Sequence, residues 1–92
     1  MSTPIVEGIL KITNKKGLHA RAAAAFARVV DEFKAKVTVD RDGKTVGGNS
    51  IMGLMMLGAA MGEEIHVVCE GNNAREALNA LETLVNEKFY ED

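Results

Sequence analysis

Gly17-Leu18-His19-Ala20-Arg21 sets a histidine directly before an alanine-rich run, Ala20 to Val30, whose composition predicts a helix. His19 then stands at a helix N-terminus, where unpaired backbone N–H groups and the helix dipole favour negative charge. A cationic ring is disfavoured there, so the imidazole is expected to be largely neutral near neutral pH and able to act as a nucleophile. The same N–H groups would cradle a phosphoryl group placed on the ring. Arg21, in the first turn, adds a forked cationic donor beside it. Nucleophile and anion site coincide, which suits a histidine that is phosphorylated and passes the phosphoryl group on.

A second feature follows at Gly48-Asn49-Ser50-Ile51-Met52-Gly53-Leu54-Met55-Met56-Leu57. Serine is a favoured helix cap, so Asn49-Ser50 predicts the start of a short helix through Leu57. Gly53 inside it costs up to about 1 kcal/mol relative to alanine, so packing must hold this helix more than propensity does.

The first motif resembles the active-site signature of the HPr family, the histidine phosphocarriers of the bacterial phosphotransferase system. The second resembles the family's regulatory-serine region, and the two stand at the family's usual separation. The resemblance spans nearly the whole chain. It implies a relay component rather than a stand-alone enzyme. His19 would accept a phosphoryl group from a phosphoenolpyruvate-charged Enzyme I and donate it to an Enzyme IIA, with Arg21 stabilising the phosphate and no cofactor involved. In some branches of the family a dedicated serine kinase/phosphorylase acts on the matching serine, and the likeness to those branches implies phosphorylation of Ser50, adding about −1.5 to −2 charges at a helix N-terminus. Leu18, Ala20, Ile51, Met52 and Met55 are expected to dock partners, methionine suiting a surface that fits several of them in turn, although sequence does not separate a docking Leu18 from a core one. A monomer is expected. One departure stands out: the family usually has proline after the motif arginine, and this chain has Ala22, which keeps the helix and restores one N–H near the phosphate site. Asn14-Lys15-Lys16-Gly17, Asn49-Ser50 and the acidic end Phe89-Tyr90-Glu91-Asp92 lean toward the family's nitrogen-regulatory branch. A docking adaptor read out by its phosphorylation state is the alternative function.

Composition narrows the field. Ninety-two residues predict one domain, 1–92. A net charge of −2 without a basic block gives no reason to expect nucleic acid or an anionic membrane as partner. The N-terminal residues lack the basic and apolar regions of a signal peptide, and no apolar run approaches a membrane span. A single cysteine, Cys69, excludes an internal disulfide, and a cytoplasmic protein is expected. Two histidines and one cysteine form no zinc pattern, and no glycine-rich nucleotide loop is present. His66 and the Glu63-Glu64 pair read as solvated strand residues.

The elements that must position His19 are legible from periodicity. Ile5 to Thr13 alternates as a half-buried strand with Val6, Gly8, Leu10 and Ile12 on one face, then Asn14 to Gly17 turns. The helix carries Ala22, Phe26, Val29 and Phe33 at helical spacing. Lys36 to Arg41 and Lys44 to Gly47 form a hairpin about Asp42-Gly43. Gly58 to Gly62 reads as a loose connection, and Glu64 to Glu70 as a strand burying Ile65, Val67 and Cys69. Asn73 and Glu76 suggest a capping box for a last helix with Ala74, Ala77, Leu78, Leu81, Leu84 and Val85 on one stripe. The reading is α+β, a two-layer open-faced sandwich: a four-stranded antiparallel sheet with three helices on one face. A small-molecule-sensing ferredoxin-like domain shares this order up to the last helix, and periodicity alone does not separate the two.

Overall fold

The computed structural model describes residues 3–91. Four strands, β1 (Ile5–Lys11), β2 (Lys36–Arg41), β3 (Lys44–Gly47) and β4 (Glu64–Glu70), alternate with helices α1 (Ala20–Phe33), α2 (Ile51–Met56) and α3 (Ala74–Asn86). A single 3₁₀ turn, Lys88–Tyr90, follows α3. The sheet order is β1-β4-β2-β3, and every pairing is antiparallel. A ferredoxin-like sheet would instead insert the third strand between the first two. Here the fourth strand takes that place and β3 is an edge, so the ferredoxin-like alternative is excluded.

Strand alternation sends one row of side chains from each strand toward the helices. The register aligns Val6, Cys69 and Val37 in one cross-sheet row and Gly8, Val67 and Val39 in the next. Over them lie Phe26 of α1 and Leu81 and Val85 of α3, all fully buried. Cutting Phe26 to alanine there would cost about 3–5 kcal/mol. Burial also pushes the Cys69 thiol up to about 11, which keeps it protonated and inert. The opposite face is open: Ile5 and Ile9 stand exposed, and His66 is held by Glu7 at 2.6 Å. Among the described residues no helix is long and apolar enough to cross a membrane.

Four expectations need correction. The buried side of α1 is Ala22, Ala23, Phe26, Ala27 and Val30, while Val29 and Phe33 lie half-buried at its margin. The small residues Ala23 and Ala27 sit against the core, and alanine carries little periodic signal in so alanine-rich a helix. Asn73 makes no side-chain cap to α3; its Nδ2 donates to the Phe33 carbonyl at 3.0 Å instead. An unpaired carbonyl at the end of α1 is as good a partner as an unpaired N–H at the start of α3.

The 58–62 segment, thirdly, is not loose. Ala59 is buried and its carbonyl accepts from Leu18 N–H at 2.9 Å, while Gly62 N–H donates to Ile12 at 2.7 Å. Glu63, read as solvated, accepts from Ala60 N–H at 2.6 Å and pairs with Arg41, whose Nη1 also reaches the Leu57 carbonyl at 2.9 Å. The Ala60 N–H, and then Arg41, hold the Glu63 carboxyl below its ordinary value of 4.5. This clamp fixes the loop against which the histidine loop is built.

Candidate functional site

The turn from β1 to α1 is set by Asn14, which is fully buried and donates through Nδ2 to the Gly17 carbonyl at 2.8 Å. Gly17 returns an N–H to the Asn14 carbonyl at 3.2 Å and takes a left-handed φ of +66°. A Cβ there would lie 2.4 Å from the Ala59 carbonyl oxygen, so no other residue fits without displacing backbone. Leu18 then plunges into the core at 4% exposure. The expectation that Leu18 docks partners is therefore wrong. It anchors the loop and leaves His19 at the surface.

His19 is the N-cap of α1, with extended backbone (φ −77°, ψ −178°). Its Nδ1 accepts from the Arg21 N–H at 3.3 Å. On the other side of the ring, Nε2 lies 2.8 and 2.9 Å from the two carboxylate oxygens of Glu91. A carboxylate accepts only, so Nε2 carries the proton, and Nδ1 is left with a lone pair aimed at the first turn of the helix. The ring is about one-quarter exposed, 27%, and the carboxylate side chain 12%. Nucleophilic nitrogen and helix N-terminus thus meet at one point, as the spacing predicts.

Lys16, His19, Ala20, Arg21 and Glu91 line an open cleft around this point. The Arg21 side chain is exposed, and its guanidinium makes no hydrogen bond or ion pair among the described residues. Two cations, Lys16 and Arg21, and the N-terminal turn of α1 therefore border this cleft, chemistry that suits an anion beside the ring. Ala22 is buried and keeps its N–H in the first turn. Sequence reasoning missed Lys16, Asn14 and Glu91 as site residues. Lys16 and Asn14 were legible only as turn chemistry. Glu91 stands 72 residues from His19, and only the fold brings them together.

Ser50 caps α2, its Oγ accepting from Gly53 N–H at 3.0 Å. Gly53 sits where a Cβ would meet Val46 of β3 at 2.9 Å, so close packing onto the hairpin holds this short helix. Its outer side exposes Ile51, Met52, Met55 and Met56, the last two methionine positions included at 40% and 73%. A second depression runs from Arg28 and Asp31 of α1 to Asn49 and Ile51, so the Ser50 end of α2 and the flank of α1 share one surface.

Comparison with known proteins agrees with this geometry. A family model described as "PTS HPr component phosphorylation site" matches residues 6–87. The phosphocarrier protein HPr of Pseudomonas aeruginosa is 47% identical over 83 residues, covering 89% of this chain and 92% of the relative. The crystal structure of HPr-C-His from Thermoanaerobacter tengcongensis superposes with a TM-score of 0.90 at 40% identity, over 95% and 98% of the two chains. A structure of an HPr dimer from the same organism gives 0.73 at 41% identity, over 87% and 92%. None of these relatives favours the nitrogen-regulatory branch, and the lean drawn from the turn and the acidic end is not borne out.

Proposed function

The chain belongs to the HPr family, and from that premise we infer that it is a phosphocarrier of the phosphotransferase system with His19 Nδ1 as the atom that carries the phosphoryl group. The observation that carries the assignment is the arrangement of the ring: Nε2 engaged by Glu91, Nδ1 unprotonated at the head of α1. The Nδ1 lone pair attacks phosphorus, and the bond to the donor's leaving group breaks with its electron pair. The ring keeps its Nε2 proton and becomes a phosphoryl-imidazolium. The phosphoryl oxygens replace the long 3.3 Å contact to Arg21 N–H with hydrogen bonds to first-turn N–H groups and to the Arg21 guanidinium. In this reading Enzyme I is the phosphoryl donor and an Enzyme IIA the acceptor, as membership of the family implies.

Ala20 and the exposed Ile51, Met52 and Met55 form the docking surface in this reading. Ser50 phosphorylation places charge at its edge. A docking adaptor without carrier chemistry would have no use for an unprotonated ring nitrogen at a helix N-terminus. The test is incubation with phosphoenolpyruvate and Enzyme I. The protein gains one acid-labile, base-stable phosphate, and His19→Ala gains none; labelling of the variant would refute the assignment.

A further inference from the structure

After α3 the chain does something L-residues avoid. Lys88, Phe89 and Tyr90 adopt φ of 55°, 56° and 59°, three non-glycine residues in succession in the left-handed region. Strain of this kind persists only where surrounding structure over-determines it. Two anchors do so here: Phe89 is buried in the core at 7% exposure, and Tyr90 N–H bonds to the Glu87 carbonyl at 2.8 Å. The product of the distortion is the placement of Glu91. Its carboxylate meets His19 Nε2 with both oxygens, and Oε2 also lies 3.4 Å from Asn14 Nδ2, the amide that shapes the histidine turn. Glu91 also lies beyond the residues 6–87 that the family model matches.

We propose that Glu91 is a positioning residue for phosphoryl transfer: it holds the proton on His19 Nε2, presents Nδ1 as the nucleophile, and faces the ring charge that forms on attack. The proposal rests on the carrier reading above. The neutral imidazole has two tautomers, and only the one protonated at Nε2 can attack through Nδ1. A carboxylate at Nε2 favours that tautomer, and in the phosphorylated state the cationic ring lies between Glu91 and the phosphoryl group. Lys16 and Arg21 border the same cleft.

The test compares the unmodified protein with Glu91→Ala, Glu91→Gln and, as a control that disturbs the tail at an exposed side chain, Tyr90→Ala. Ring ¹⁵N chemical shifts of His19 report the tautomer without any phosphotransfer, and steady-state phosphorylation by Enzyme I reports the chemistry. Glu91→Ala is expected to raise the population protonated at Nδ1 and to lower the saturating rate on the order of tenfold with KM unchanged. Glu91→Gln keeps an acceptor oxygen without its charge, so it retains the tautomer and loses part of the rate; Tyr90→Ala matches the unmodified protein. Ring shifts unchanged in Glu91→Ala, or an unchanged rate in both Glu91 variants, would overturn the proposal. A faster Glu91→Ala would overturn it as well, by making the carboxylate an obstruction. If the unmodified protein is not phosphorylated at all, the carrier reading fails while the tautomer measurement still stands on its own.

Discussion

Gly17 lies directly against Ala59: a Cβ on the one would come to 2.4 Å from the carbonyl oxygen of the other, and Leu18 N–H donates to that same oxygen at 2.9 Å. The loop that delivers His19 is thereby built on the loop that leaves α2. The histidine and the Ser50 helix are joined through backbone. Gly17→Ala must both adopt a left-handed φ and push backbone apart, so a loss of roughly 2–4 kcal/mol is expected. Urea titration measures it. A change below 0.5 kcal/mol would show that the loop yields easily and does not fix the site.

Arg21 is the opposite case. Its side chain is exposed and unpaired among the described residues, so Arg21→Ala is expected to shift folding stability by no more than about 0.5 kcal/mol. Phosphorylation of His19 by Enzyme I is expected to slow by tenfold or more, because a charge-assisted contact to the phosphoryl group is lost. Near-normal transfer would remove Arg21 from the site.

Ser50→Asp is expected to keep the α2 cap, since aspartate caps as well as serine, and to leave the fold intact. Its charge stands beside the exposed Ile51, Met52 and Met55, which would have to be desolvated if Enzyme I docks there as proposed. The expected result is a raised KM for the protein as substrate of Enzyme I with a smaller change at saturation. Equal KM values for the two proteins would show that this surface is not the docking surface.

Much of this arrangement was legible in the sequence, for physical reasons that differ by residue. The helix cap at His19, the cap at Ser50, the Asp42-Gly43 hairpin with φ of 52° and 81°, and the stripe of α3 all follow from local rules. Leu18 was ambiguous because a single leucine beside a surface histidine has no period to place it. The 58–62 loop looked slack because its order comes from backbone hydrogen bonds to residues roughly forty to fifty positions away, which no composition encodes. Glu91 read only as part of an acidic end. Its use depends on three left-handed residues that no propensity rule would predict.

The Arg41–Glu63 clamp gives the loop a pH dependence with a definite sign. The Glu63 carboxyl titrates below 4.5 in the folded protein, held down by the Ala60 N–H and by Arg41. A depressed carboxyl contributes stability that is complete above its unfolded value and is lost as pH falls through its folded value. Melting temperatures of the protein and of Glu63→Gln are therefore expected to differ most at neutral pH and to converge as pH drops below about 4.5. Parallel curves down to pH 3 would show that Glu63 has no stabilising partner in solution.

In the proposed reaction one atom, His19 Nδ1, carries the phosphoryl group. The measurement that tests it most directly is ¹H–¹⁵N correlation of the imidazole ring, with ³¹P detection, in protein phosphorylated by phosphoenolpyruvate and Enzyme I. A single phosphohistidine is expected, on His19, with phosphorus on Nδ1 and the proton retained on Nε2. Phosphorus on Nε2 would contradict it, since that nitrogen faces Glu91 and not the helix N-terminus; phosphate on His66, or on no histidine, would contradict the site altogether.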